Sequence, residues 1–299
     1  HGETLFGKIW KLMKSRSEFM MKIKSGEIDL AHIHVTHSFS WWRKIVFLRI
    51  CERYDIPAII HIHSGKFDDF CNGFPGKSVK INLSKPNRRT VILEERWKNK
   101  LQKWIPQDSI VVHNSSPALT DRKDHKLRGP IKLLMMTRDS SIKGTDFAVR
   151  VADELGRQGM ETELTITGSK SLMNEELIKG KIKKIGWVND EEKAKLIQES
   201  DFLLSPSEFE GSSMSIIESM VSGLPCIVSS PSAETVGIEM LTVTDFDPQS
   251  WSERVMHLIQ PHIYHSLGSE ILESAKRFDV NRNKKSTGLV YEELISKRQ

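Results

Sequence analysis

Two glutamates, Glu210 and Glu218, are separated by seven residues around a predicted turn from a strand into a helix. An ionised carboxylate accepts hydrogen bonds from hydroxyl groups, and the free N–H groups at a helix N-terminus suit a phosphate. Phosphate and hydroxyl contacts in one crevice are what a nucleotide sugar requires. The spacing therefore indicates a site for a ligand of that chemistry, although two glutamates at one spacing also occur on solvated helices.

A strand–loop–helix–strand unit between residues 201 and 230 must position these glutamates. The apolar run 202–204 is typical of a buried parallel strand, and Ser212 and Ser213 are good helix N-cap residues. Gly223 and Pro225 end the helix, and residues 226–228 begin the next strand. In an open α/β sheet, ligands bind beyond the carboxyl ends of the strands, which is where the loop carrying Glu210 lies.

Two cations, Arg138 and Lys143, follow the strand predicted at the start of the second domain, in TRDSSIKG. A forked guanidinium and a point-charge ammonium at a strand's carboxyl end suit a diphosphate leaving group. An ordinary cationic surface loop is the alternative interpretation of this segment taken alone.

The stretch PSEFEGSSMSIIESMVSGLPCIVSS resembles retaining glycosyltransferases of the GT-B fold, family GT4, the group 1 glycosyl transferases. The resemblance extends to Arg138 and Lys143, although Thr137 stands where the family usually has glycine. It implies transfer of a hexose from a nucleoside diphosphate sugar, with UDP favoured over GDP, to a hydroxyl of a glycan or glycolipid acceptor. It also implies retention of anomeric configuration, and no metal or other cofactor.

The resemblance assigns roles to individual residues. Arg138 and Lys143 would bind the diphosphate, Glu210 the donor sugar and Glu218 the ribose. Main-chain groups would bind the donor at Gly211, Ser212, Ser213, Gly186, Val188 and Gly168.

Histidines occupy alternate positions in two predicted strands, residues 29–35 and 57–63. The resemblance implies that His63 orients the transferred sugar, whereas His32 fits a buried, hydrogen-bonded core residue better. His-x-His at a strand end also binds metals, so a metal-dependent hydrolase stays open as an alternative function. Another is a sugar-nucleotide-binding module without transferase activity.

The predicted fold is α/β, with two Rossmann-like, doubly wound parallel-sheet domains facing across a cleft. The resemblance implies that residues 1–127, joined by the C-terminal helix 280–299, form the acceptor-side domain and that residues 128–279 form the domain that binds the nucleotide sugar. Residues 114–128 are polar and are predicted to be the linker. The first strand begins only at Asp29, so we expect an N-terminal domain that lacks its first strands.

Composition excludes several classes of protein. The 299 residues carry a net charge of +5, and no known nucleic-acid-binding motif accompanies it. Three widely spaced cysteines without a signal-peptide pattern predict reduced thiols and a cytoplasmic location. The basic amphipathic helix over residues 5–23 is predicted to cover a sheet, and it is compatible with peripheral contact with an anionic membrane at the inner membrane face.

Overall fold

The computed structural model describes residues 5–122, 126–138, 140–169 and 173–297. The chain divides into two compact units. One contains the residues up to His113 together with those from Lys284 onwards, and the other extends from Asn114 to Asn283. Each unit is built on its own β-sheet, of four and seven strands respectively. The predicted α/β class with two parallel sheets is therefore confirmed, and the first sheet is the smaller.

Many of the strands are short apolar runs rich in β-branched residues. The strands are β1 (Ala31–Val35), β2 (Ala58–Ile62), β3 (Arg88–Ile92), β4 (Ile110–Val111), β5 (Ile131–Met136), β6 (Thr162–Thr167), β7 (Met173–Leu177), β8 (Gly180–Lys184), β9 (Phe202–Ser205), β10 (Cys226–Ser229) and β11 (Thr242–Val243).

Helices connect most of these strands, as parallel pairing requires a crossover. They are α1 (Leu5–Lys24), α2 (Phe39–Arg53), α3 (Phe67–Asn72), α4 (Pro75–Leu83), α5 (Glu95–Leu101), α6 (Thr145–Arg157), α7 (Asp190–Glu199), α8 (Met214–Val221), α9 (Ala233–Val236), α10 (Pro248–Leu258), α11 (Pro261–Ala275) and α12 (Val280–Ser296).

The first unit is a parallel sheet in the order β1-β2-β3-β4. Side chains alternate between its two faces. One face packs against helices around Trp41 and Phe67, which are both fully buried. On the other face, Ile59 and Val91 pack against Val290 of α12. The final helix thus covers part of the first sheet.

The second unit has the strand order β11-β10-β9-β5-β6-β8-β7, parallel except for the β7–β8 pair. From the central strand β5 the chain proceeds to β6 on one side and later to β9 on the other. This reversal of direction is a topological switch point, where the carboxyl ends of an open sheet leave a crevice. The hydrophobic core is continuous on both sides of the sheet and contains the fully buried Phe202 and Trp251.

Several elements were not predicted from the sequence. Between β2 and β3 the chain forms two short helices, α3 and α4, separated by Gly73 and Phe74 before Pro75. The interruption leaves each helix too short for a clear helical period. Strand β7 has the sequence MNEEL, which lacks an apolar run because it pairs only with β8, at the edge of the sheet.

The segment predicted as a linker packs against the second unit. Arg122 is buried and donates hydrogen bonds to the carbonyl oxygens of Gly223, at 3.0 Å, and Ser200. The Leu119 N–H donates to Ser222 Oγ at 3.0 Å. These contacts hold residues 119–122 against the second unit, so this part of the predicted linker is structured.

Helix α1 packs through Phe19 and Ile23 against the hydrophobic core of the first unit. Its outer face leaves Trp10 59% and Met21 60% exposed. Within the described residues, no helix combines the length and apolar character needed to span a bilayer. Peripheral contact with an anionic membrane and a cytoplasmic location stay predictions.

Candidate active site at the switch point of the second sheet

A cavity of about 370 Å³ lies in the second unit, at the switch point between β5 and β9. Its size falls within the range of small-molecule sites. The ends of β5, β6 and β9 and the start of α8 surround it. Seven of the residues predicted from the sequence line it, namely Arg138, Lys143, Val188, Glu210, Ser212, Ser213 and Glu218.

Lys143 and Glu210 form an ion pair in this cavity. The Lys143 Nζ atom donates to Glu210 Oε1 at 2.5 Å, and the two side chains are only 25% and 10% exposed. Lys143 ends a short 3₁₀ helix, and Gly144 follows with a left-handed φ of 74°. A Cβ atom at Gly144 would lie 2.5 Å from the carbonyl oxygen of Pro206. Glycine is therefore required for this loop to approach the segment after β9.

Glu218 has a lysine partner that the sequence analysis missed. Lys193 Nζ donates to Glu218 Oε1 at 3.0 Å and lies 2.9 Å from Asp190 Oδ1. Burial lowers the pKa of Lys193, but the hydrogen bonds from its ammonium to Asp190 and Glu218 outweigh burial and raise it overall. Lys193 is thus a cation at neutral pH. It holds the Glu218 carboxylate, which is 17% exposed, at the cavity wall.

Helix α7 supplies Lys193 and begins with a capping box. The Asn189 side chain accepts from the Glu192 N–H, and the Glu192 side chain accepts from the Asn189 N–H. This reciprocal pair fixes the first turn of the helix, one residue before Lys193. The motif N-D-E-E predicts the helix start, but nothing in it indicates that the next residue contacts Glu218.

Arg138 is exposed and follows β5 directly. Thr137 precedes it, and both line the cavity. Gly168, at the end of β6, packs so closely against this segment that a Cβ atom would lie 2.2 Å from the Thr137 carbonyl oxygen. The main chains of Thr137 and Gly168 are therefore closely packed, although Thr137 stands at a position where the family usually has glycine.

The start of α8 faces the same cavity. Ser213 is the N-cap residue, but its side chain makes no capping hydrogen bond to the helix, and its Oγ lies 3.1 Å from Ser215 Oγ. The Ser212 Oγ atom is buried without a hydrogen-bond partner among the described residues. Gly211 lies directly before these serines. The first N–H groups of an α-helix have no intrahelical partner, so this terminus suits an anion.

The remaining donor-binding predictions fall where β6 meets the segment after β8. The Gly168 N–H donates to the Gly186 carbonyl oxygen at 2.9 Å, which joins the two segments. Val188 lines the cavity. Gly186 does not line it, but the hydrogen bond to Gly168 connects Gly186 to the end of β6. Trp187, which the sequence analysis did not single out, also lines the cavity with 72% of its surface exposed. Its position between Gly186 and Val188, which were both predicted to contact the donor, could have indicated Trp187 from the sequence.

His63 lies in the first unit, one residue after β2. Its N–H donates to the Val35 carbonyl oxygen at 2.9 Å, and its Nε2 atom lies 2.7 Å from His34 Nδ1. Burial and the neighbouring histidines lower the pKa of His63 to about 4. His32, predicted as a buried core residue, is half-buried, and its Nδ1 atom lies 2.8 Å from the Tyr291 hydroxyl.

Comparison with known proteins gives a family match for part of the chain. Residues 130–261 match the family model for glycosyl transferases group 1. No curated protein sequence matches the chain. Among solved structures, sucrose-phosphate synthase from Thermosynechococcus elongatus is 15% identical with a TM-score of 0.73, over 96% of this chain and 79% of that one.

Two further structures carry ligands. Anabaena HepE, in complex with UDP and glucose, is 13% identical with a TM-score of 0.68, over 96% of this chain and 84% of that one. The pneumococcal O-GlcNAc transferase GtfA, in complex with UDP and GlcNAc, is 13% identical with a TM-score of 0.66. That match covers 92% of this chain and 59% of GtfA.

The structural matches establish the GT-B fold, and the family model covers the region that carries the cavity and its two lysine–glutamate pairs. Residues 130–261 of the chain are therefore similar to the group 1 glycosyltransferases, family GT4, and this stretch contains every residue that lines the cavity.

Proposed function

We propose that this enzyme moves a hexose from a nucleoside diphosphate sugar to a hydroxyl of a glycan or glycolipid acceptor, with retention of anomeric configuration. UDP is favoured over GDP, because UDP is the nucleotide in the structures of HepE and GtfA. The observation that carries the proposal is the convergence of two Lys–Glu pairs and a helix N-terminus on one cavity at the switch point.

The charges divide the cavity into parts that match the parts of a donor. Lys143, Arg138 and the N–H groups at the start of α8 form a cationic side for the diphosphate. Glu218, held by Lys193, offers carboxylate oxygens to the ribose hydroxyls. The exposed indole of Trp187 gives a flat apolar surface near Val188 for the base.

Glu210 and Lys143 are proposed to act on the sugar and its leaving group. Their ion pair fixes both side chains before the donor arrives, so little reorganisation is needed in the reaction. Lys143 then stabilises the negative charge that develops on the diphosphate. Glu210 accepts hydrogen bonds from the sugar hydroxyls.

The proposed chemistry is a front-face substitution. The bond between the anomeric carbon and the diphosphate oxygen breaks, and the acceptor oxygen forms its bond to that carbon on the same face. The proton of the acceptor hydroxyl passes to the departing phosphate oxygen. The two cations, Arg138 and Lys143, supply the charge that the diphosphate requires, so we propose that the transfer needs no metal.

A thermal-shift panel with UDP-, GDP-, ADP- and CDP-sugars tests the donor site. A ligand at a hundredfold its dissociation constant adds about 2.7 kcal/mol of stability, a shift of roughly 5–10 °C for a domain of this size. We expect UDP-sugars to stabilise the protein and Glu218→Ala to abolish most of the shift. Glu199→Ala, which changes an exposed glutamate at the end of α7, is the matched control.

If none of the nucleotide sugars raised the unfolding temperature of the folded wild-type protein, the proposal would be contradicted. A shift that is equal in wild type and Glu218→Ala would place the nucleotide outside this cavity. Donor binding without transfer to any acceptor would favour the alternative of a binding module.

A further inference from the structure

The first unit carries a group of imidazoles that the proposed transfer does not use. His32 and His34 lie on β1 and His61 lies on β2, and one ring nitrogen of each lies within 4.8 Å of the others. The parallel register sets His34 opposite His61. Alternate residues Ala31, Ile33 and Val35 belong to the core, so the histidines share the opposite face of the sheet.

Two of these histidines are held by hydrogen bonds through one nitrogen. The Nδ1 atom of His32 lies 2.8 Å from the Tyr291 hydroxyl, and the Nδ1 atom of His34 lies 2.7 Å from His63 Nε2. A hydrogen bond to one ring nitrogen fixes the tautomer and orientation of the ring and leaves the other nitrogen as a ligand. Tyr291 and His63 are therefore in the positions of outer partners to metal ligands.

The Nδ1 atom of His61 faces a nitrogen of His32. His61 is 7% exposed, and its Nδ1 atom lies 3.2 Å from His32 Nε2. The 3.2 Å separation is close to the roughly 3.3–3.4 Å between two nitrogen ligands of a tetrahedral zinc ion with bonds of about 2.0–2.1 Å.

Metal ions bind the neutral form of an imidazole, so zinc binding by this group should weaken as the pH falls.

We propose that His32, His34 and His61 together bind one Zn²⁺ ion. A set of imidazoles without carboxylates suits zinc and other late transition metals and does not suit Mg²⁺ or Ca²⁺. The stacked rings of His32 and His34, with centroids 4.5 Å apart, must turn towards the ion, and the exposed His34 has room to do so. The ion would join β1 to β2 and, through Tyr291, to α12. This site is independent of the transferase proposal.

Titration of the tag-free, chelator-treated protein with Zn²⁺ tests the site. We expect one equivalent per chain by competition with a chromophoric chelator, and visible absorption of tetrahedral type when Co²⁺ replaces Zn²⁺. His34→Gln should weaken binding at least a hundredfold, and Tyr291→Phe about ten- to a hundredfold. His262→Gln, which changes an exposed histidine of α11, should bind as wild type does.

His34 is exposed, so His34→Gln should unfold in chelator at the wild-type temperature, and its loss of zinc cannot then be attributed to misfolding. The proposal is overturned if wild type binds no stoichiometric zinc, or if His34→Gln binds as tightly as His262→Gln. Neither result bears on nucleotide binding, which the donor panel measures separately.

Discussion

At the candidate site, each of the two glutamates is paired with a lysine from another segment of the chain. Glu210 contacts Lys143, and Glu218 contacts Lys193. Three of these four residues were predicted, because Glu210, Glu218 and Lys143 occur in recognisable local patterns. Lys193 was not, because it lies 25 residues from Glu218 on a different helix. Only the tertiary fold of the second unit brings the two together.

Lys193→Met should weaken binding of the nucleotide that the donor panel identifies by about tenfold, or about 1.4 kcal/mol. The substitution removes a partly buried cation from the cavity and leaves the Glu218 carboxylate without the partner that orients it. Isothermal titration calorimetry measures the change in dissociation constant.

Lys195→Met, an exposed position on the same helix, is the control and should leave binding unchanged. Equal affinities for Lys193→Met and wild type would show that Lys193 has no part in the donor site.

At the scale of helices and strands, the site residues are positioned by the turns that follow the carboxyl ends of β5 and β9. The apolar runs and the helix N-cap pattern predicted β9, α8 and β10, together with the strand before Arg138, which is β5. The conformations of the turns could not be predicted, because they depend on close approach between segments. Gly144 is the clearest case, since its loop packs against Pro206 more than 60 residues later.

Gly144→Ala should destabilise the second unit and weaken donor binding together. A left-handed φ is unfavourable for alanine by roughly 1–2 kcal/mol, and the added Cβ atom would meet the Pro206 carbonyl oxygen at 2.5 Å. Moving the loop to relieve this clash displaces Lys143. Urea unfolding and nucleotide titration measure the two effects.

Gly129→Ala is a matched control, because Gly129 has a similar φ of 69° and a Cβ atom there would meet nothing within 4 Å. We expect Gly129→Ala to lower the free energy of unfolding only by the cost of placing alanine at a left-handed φ, and to leave nucleotide binding unchanged. Similar losses for both variants would contradict the role given to the Gly144–Pro206 contact.

For the chain as a whole, the sequence patterns predicted the α/β class and two sheets, and the resemblance predicted the family that residues 130–261 match. Charge and composition contributed less, because a net charge of +5 fits many ligands. The histidine group of the first unit could be predicted only in part. Alternation indicates that His32 and His34 share a face, but the register between β1 and β2 brings His61 opposite His34, and α12 brings Tyr291 to His32.

The most direct test of the central claim is UDP release from the UDP-sugar selected by the donor panel, measured with membrane-extracted glycans and glycolipids as acceptors. We expect wild type to release UDP with transfer of the hexose, and the product to keep the anomeric configuration of the donor. Lys143→Met should lower kcat about 100- to 1,000-fold, as loss of a group that stabilises charge in the transition state does. Turnover by Lys143→Met at the wild-type rate, or a product of inverted configuration, would contradict the mechanism proposed for this cavity.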